Sequence, residues 1–327
     1  MIQWIVALVV AALAATTELR AQQAWRVINE YPASSLPGEA DALFAKLVAE
    51  RLGGKLSITP VPDAKSGLKS SEQVDAVAAG RFEMANSFGG ALGGAGPWFL
   101  LSSLPFVTAD AADAKALFEI AEARYHEMFA KRSQKLLYVS PWPASGVWSS
   151  APLGGSEALK ALRIRTFDAT GTQLFGRIGA KAEIVSFADL EGKLASGEFN
   201  AVLSSGDGGA GRSLWRHLKY FSEIGYAVPL SFATVNLEKW NALDADARAE
   251  IERIGKEVSE RQWAAMNGRV DANYVRMRDN GMSIAKPPVE VMQTLREAAA
   301  DVLAKWTADA GGDGKALLAA YRARRGK

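Results

Sequence analysis

Between residues 162 and 215 the chain reads Leu-Arg-Ile-Arg (Leu162 to Arg165), Ile-Gly-Ala (Ile178 to Ala180), Gly-Glu-Phe-Asn (Gly197 to Asn200) and Ser-Ser-Gly-Asp-Gly-Gly-Ala-Gly-Arg (Ser204 to Arg212). Ile164 and its neighbours form a short apolar run ending in Arg165 and a polar loop, Thr166 to Gly171. That is the pattern of a strand delivering a cation to the carboxyl edge of a sheet. Open α/β sheets bind their ligands at that edge. A guanidinium there grips a carboxylate through two parallel hydrogen bonds, which an ammonium cannot reproduce. The alternative is a surface arginine paired with Asp168. No nucleophile, base or metal cluster accompanies the cation, so the stretch reads as a place where an anion is held rather than transformed.

Working outward, strand and helix patterns alternate. Trp25 to Asn29, Lys55 to Val61 and Phe82 to Ser87 read as strands, separated by helical patterns over Gly38 to Leu52 and Ser71 to Ala79. Gly89 to Gly96 reads as a glycine-rich loop, and Ser133 to Pro143, Ile164 to Thr166, Ala182 to Val185 and Ala201 to Leu203 as further strands. This βαβ order predicts an α/β fold with mostly parallel sheets. From Asp244, an N-cap, to Asn280-Gly281, a C-cap, a helical pattern carries Ile251, Ile254 and Val258 on one stripe. Its roughly 36 residues would extend about 54 Å, longer than one lobe is wide, unless the helix breaks near Gly268.

Composition bounds the class. At 327 residues the chain exceeds one ordinary domain and suggests two lobes. With 49% hydrophobic and 23% charged residues it is globular, and 38 basic against 36 acidic side chains leave no case for a nucleic-acid partner. The absence of cysteine excludes disulfides, thiolate catalysis and a cysteine-linked lipid anchor. Trp4 to Ala15 is an uncharged apolar run too short to span a bilayer, followed by small residues, which predicts an export signal over residues 1–21. No Lys or Arg precedes the run, and Leu19 fits poorly three places before a cut after Ala21. The mature protein is expected to be soluble, free of lipid and periplasmic.

The sharper chemical readings find no support. His126 and His217 have no carboxylate spacing that would build a zinc site. Gly206 to Gly211 lacks the Lys-Ser or Lys-Thr of a phosphate loop and reads as a tight, flexible wall. Ser204 and Ser205 stand in no Gly-x-Ser-x-Gly elbow.

Several further motifs follow one another in a telling order: Phe44-Ala45-Lys46, Gly80-Arg81-Phe82-Glu83-Met84, Leu104-Pro105-Phe106, then Leu162 to Arg165, Gly197 to Asn200, and Val235-Asn236 through Trp240 and Leu243. In these the chain resembles the solute-binding proteins of the TRAP (tripartite ATP-independent periplasmic) transporters over essentially its whole mature length. The resemblance implies a two-lobe periplasmic binding protein fold, α/β with mixed, mostly parallel sheets and a long helix spanning both lobes. One lobe is expected from residues 22–145 with 232–265, the other from 146–231 with 266–327, with closure about crossings near Ala144 to Gly146 and Leu230 to Ala233.

Position by position, the resemblance makes Arg165 the partner of the solute carboxylate. Where such proteins often carry a second arginine, Trp148 stands, which suggests an indole against a ring or apolar chain. Glu30, Tyr31, Asn86, Ser87, Phe88, Phe187, Ser204, Ser205 and Asp207 complete the expected wall, with Asp168 beside it. Asp168 and Asp207 would repel a second carboxylate unless paired. No cofactor or metal is expected. The expected partners are a small organic acid, an aromatic or apolar monocarboxylate rather than a sialic acid or C4-dicarboxylate, and the small and large TRAP membrane subunits. A monomer is expected. Two alternatives remain open: a secreted hydrolase or lyase using Asp168, Asp207 or Glu30, and the binding subunit of an ABC-type importer.

Overall fold

The structure, a computed structural model, describes residues 23–326. The expected export signal, residues 1–21, lies outside the described residues. Two mixed sheets form the frame. The first contains β1 (Gln23–Asn29), β2 (Leu56–Val61), β3 (Met84–Phe88), β4 (Gln134–Pro141) and β10 (Leu230–Asn236), in the order β2-β1-β3-β10-β4. The second contains β5 (Ser145–Ser149), β6 (Arg163–Thr166), β7 (Lys181–Ile184), β8 (Ala201–Ser205), β9 (Tyr220–Ser222) and β11 (Ser283–Ala285), in the order β11-β9-β5-β8-β6-β7. Strands joined by a crossover helix pair in parallel, as β1 does with β2 and β3, and β6 with β7 and β8. β5 and β10, which enter from the other lobe, run antiparallel to their neighbours.

The chain therefore changes lobe between β4 and β5 and returns between β9 and β10. The two links are bound to each other: Trp142 N donates to Pro229 O at 2.9 Å, and Tyr226 N to Ser145 O at 2.8 Å. Two helices also cross. The helix Ala245–Asp279 starts as expected, with Asp244 capping Ala247 N at 2.7 Å and Ile251, Ile254 and Val258 buried in the first lobe. It does not run unbroken. Asn267 (ψ 122°) and Gly268 (φ 77°) leave helical geometry, and beyond them Met277 packs in the core of the second lobe. The last helical stretch, Val289–Arg324, which breaks at Gly311 (φ 72°), buries Val291, Leu295 and Val302 in the second lobe's cluster and Trp306, Leu318 and Tyr321 in the first lobe's. The segment 266–327, expected to side with the second lobe, thus packs against both.

The glycine-rich segments are ordered. Gly89–Ala95 forms 3-10 turns, and Gly206–Gly211, expected as a flexible wall, is a short buried helix capped by the Ser205 hydroxyl, which accepts from Gly208 N at 3.1 Å.

The first-lobe half of Ala245–Asp279 lies hard against β4: a Cβ on Gly255 would stand 2.3 Å from the backbone oxygen of Leu137. Alanine normally gains about 1 kcal/mol over glycine inside a helix, but here the methyl meets backbone that cannot step aside. Gly255→Ala should lower stability by about 1 to 3 kcal/mol net. Gly176→Ala, at an exposed helical position with nothing within 4 Å of its Cβ, should raise it by about 0.5 to 1 kcal/mol. Urea titration of both variants reads the two opposite signs, and equal shifts would refute the close approach.

Candidate functional site

Between the lobes lies a closed cavity at the carboxyl ends of β3, β6 and β8. The first lobe contributes Tyr31, Phe88 and Trp142, the second contributes Arg165, Phe167, Phe187, Ser204, Ser205 and Gly208, and Ser145 and Pro229 of the crossings close it. Its free volume is about 20 Å³. A larger groove, about 460 Å³, opens on the outer face of the first lobe beside the helices Ala111–Ala130 and Ala245–Asp279. Its charged rim is already paired, Lys115 with Glu260 at 2.9 Å and Lys135 with Glu252 at 2.7 Å.

Arg165 is the cation of the cavity and is only 2% exposed. Its Nε donates to Val185 O at 2.7 Å and one Nη to Leu203 O at 3.4 Å. A guanidinium carries five N–H groups; these two bonds fix its plane, the Tyr31 phenol oxygen accepts a third, and two donors remain. Burial pushes its pKa down from the ordinary value, an effect opposed by Tyr31, Glu30 and Asp168 around it. The Tyr31 phenol is pushed up, chiefly by burial. Around this cation the walls are aromatic: Tyr31 stacks on Phe187 at 4.6 Å between centroids and tilts against Trp142 at 4.6 Å, while Phe88 meets Phe167 edge-on at 5.2 Å. The hydroxyls of Ser204 and Ser205 supply the polar counterpart.

Of the expected site residues, Arg165, Tyr31, Phe88, Phe187, Ser204 and Ser205 meet at the cavity. Trp148, Glu30, Asn86, Ser87, Asp168 and Asp207 do not line it. Trp148 is fully buried behind it: its Nε1 donates to Ser205 O at 3.3 Å, and a Cβ on Gly209 would lie 2.1 Å from the ring. The indole therefore supports the strand that carries Ser205 instead of facing a solute. Asn86 and Ser87 point into the first lobe, donating to Asp41 at 2.7 Å and Gln73 at 2.8 Å.

The three carboxylates have structural partners. Glu30 accepts Ser70 N at 2.8 Å in its own lobe and Ala188 N at 2.9 Å from the other. Asp207 accepts Leu36 N at 3.0 Å across the seam and pairs with Arg269 at 2.6 Å. Asp168 caps the helix Ala169–Arg177 through Gly171 N at 2.9 Å and accepts the Thr170 hydroxyl at 2.8 Å. It is not a surface partner of Arg165, and none of the three lines the cavity as an acid or base for a solute. Trp142, Ser145, Phe167, Gly208 and Pro229 complete the cavity beyond the expected residues. Phe167 lies two residues past Arg165, just beyond β6, and Pro141-Trp142-Pro143 was the available signal that β4 ends before its apparent limit.

Burial raises the Asp168 carboxyl from 3.8 to about 6, against the bonds from Gly171 and Thr170. Because the native pKa lies above the unfolded one, the native state holds this proton more tightly. The contribution is complete below about pH 4 and is lost as pH rises towards 6. Asn also caps helices well, so Asp168→Asn should keep the fold and remove this slope. The stability difference between variant and parent should then shift by on the order of 3 kcal/mol in favour of the variant between pH 4 and 7. Denaturant titrations at intervals over that range test it, and parallel curves would refute it.

The sequence pattern of bacterial extracellular solute-binding protein family 7, the DctP family, matches residues 29–309. A solute-binding protein of Chromohalobacter salexigens is 23% identical over 266 residues, 80% of this chain and 78% of that protein. A Bordetella pertussis extracytoplasmic solute receptor binding pyroglutamic acid superposes with a TM-score of 0.88 at 26% identity, over 92% of this chain and 99% of that one. A TRAP solute-binding protein from a marine metagenome, specific for pyroglutamate, does so at 0.88 and 25%, with the same coverage. Family and neighbours alike are binding receptors, not enzymes. The chain belongs to family 7 of the bacterial extracellular solute-binding proteins, the solute receptors of TRAP transporters.

Proposed function

We propose that the protein is a periplasmic receptor for a small organic monocarboxylate, which it delivers to TRAP membrane subunits. The observation that carries this reading is Arg165, a buried guanidinium with two N–H donors left over, set in a largely aromatic cavity. One carboxylate satisfies the free end of the fork, and a flat or apolar body fits between Tyr31, Trp142, Phe167 and Phe187. With a free volume of about 20 Å³, the cavity lies far below ordinary small-molecule sites, roughly 300 to 1,000 Å³. That favours a compact acid, and the two relatives that take pyroglutamate make a five-membered ring acid the first candidate. Solute closes the lobes about the paired crossings at 142–145 and 226–230. The mature protein acts as a monomer without cofactor, exported by the signal at 1–21. Among the described residues no helix is long and apolar enough to cross a membrane.

A thermal-shift screen of small carboxylic acids identifies the solute, since a ligand at 100 times its Kd adds about 2.7 kcal/mol of stability. Arg165→Ala then leaves the carboxylate buried and unpaired, a loss of about 2 to 5 kcal/mol, or roughly 30-fold to several thousand-fold in affinity. Arg165→Lys recovers only part, because an ammonium lacks the fork. Calorimetric titration of each variant, first shown by circular dichroism to be folded, checks this. Binding of Arg165→Ala within about threefold of the parent would overturn the assignment.

A further inference from the structure

Arg212 stands out among the arginines around the cavity. Arg165 is bound to Val185 and Leu203, and Arg269 to Asp207, Glu39 and Ser34. Arg212 makes no hydrogen bond or ion pair among the described residues, and its buried Nε has no partner. A buried donor left unmade is unfavourable, so a group that persists in this state points to a partner that comes and goes. Its guanidinium carbon lies 5.1 Å from the centroid of Phe187, whose ring stacks on Tyr31 in the cavity wall. Arg212 thus stands behind Phe187, and the Tyr31 phenol feels its charge together with that of Arg165. The preceding residue, Gly211, abuts Pro32 of the opposite lobe, with a Cβ there 3.4 Å from the proline ring. Arg212 therefore sits at the seam, where the lobes part when the cleft opens.

Charge balance gives the position a purpose. The buried Arg165 has Glu30 and Asp168 around it, so part of its charge is offset before any acid arrives. A second, uncommitted cation restores an attractive field at the entrance without adding a second grip inside the cavity.

We propose that Arg212 is the entry cation of the site: it draws the solute's carboxylate into the open cleft, passes it to Arg165, and on closure packs over Phe187 as the outer layer of the wall. This rests on the carboxylate reading of the cavity. It assigns to Arg212 the rate of capture and to Arg165 the retention of the solute.

Stopped-flow tryptophan fluorescence with L-pyroglutamate separates the two roles. Arg212→Met keeps an unbranched stem over Phe187 and removes the charge. At low ionic strength its association rate should fall about tenfold, in the range of electrostatic steering. The gap should close near 1 M salt, where the screening length is about 3 Å. Dissociation should change less than about twofold, and Arg212→Lys should keep most of the parent's association rate. A merely structural role would instead raise the dissociation rate without changing the salt dependence of association; that result, or equal association rates at low salt, overturns the proposal. Iodide quenching of tryptophan fluorescence, compared with quenching by neutral acrylamide, judges the field whatever the solute. The iodide-to-acrylamide ratio should be lower in Arg212→Met, and an unchanged ratio overturns the proposal. If L-pyroglutamate fails to bind the parent, this candidate for the solute falls, and the quenching ratio decides the role of Arg212 by itself.

Discussion

A guanidinium with almost no contact with water has to be compensated, and the architecture around Arg165 answers that requirement. Removing a charge from water is expensive unless hydrogen bonds and counter-charges replace the lost solvation. Two backbone carbonyls at the ends of neighbouring strand segments do part of this, and they also hold the plane of the fork towards the cavity. They can do so only because β6 lies between β7 and β8 in parallel register, with the chain continuing beside it from β7 to Val185. More comes from the phenol oxygen of Tyr31 and the charge of Glu30 across the cleft, and from Asp168 in the same lobe. A lobe carrying such a cation is incomplete without its partner lobe.

The seam itself is held by carboxylates that accept backbone N–H groups. Glu30 reaches Ala188 and Asp207 reaches Leu36, each bond running from a side chain of one lobe to a main-chain donor of the other. Leu36 is the first residue of the helix Leu36–Arg51, where N–H groups have no intrahelical acceptor. These bonds fix the geometry of the closed state more tightly than apolar contact alone, since they are directional. Arg269, just past the break at Gly268, joins the same seam by holding Asp207 on one side and Glu39 and the Ser34 carbonyl on the other.

How far the sequence reveals this varies with the range of the interaction. β6 and its terminal cation were legible because apolar alternation ending in an arginine and a polar loop is a local pattern. The caps at Asp244 and Asn280 were legible for the same reason. Trp148 shows where local reading ends: the strand was recognisable, but which face its indole takes depends on Gly209, more than fifty residues on. Glu30 and Asp207 were recognisable as polar residues at strand ends. Their partners lie 158 and 171 positions away, and nothing in the neighbourhood of either residue announces them. The break at Gly268 was visible as a glycine, yet whether a helix bends there is settled by the two lobes it joins.

The place of β10 in the first sheet bears on how the molecule comes into being. β10 lies between β3 and β4, yet 88 residues separate the end of β4 at Pro141 from its start at Leu230, and the strands of most of the second lobe fill that interval. On the ribosome, the amino-terminal lobe therefore cannot assemble as each segment emerges. β4 must wait without its neighbour until most of the other lobe has been synthesised, and distant pairings of this kind form slowly. A polypeptide built in this order remains loosely organised for much of its synthesis, the state in which a chain can still be threaded through a narrow pore.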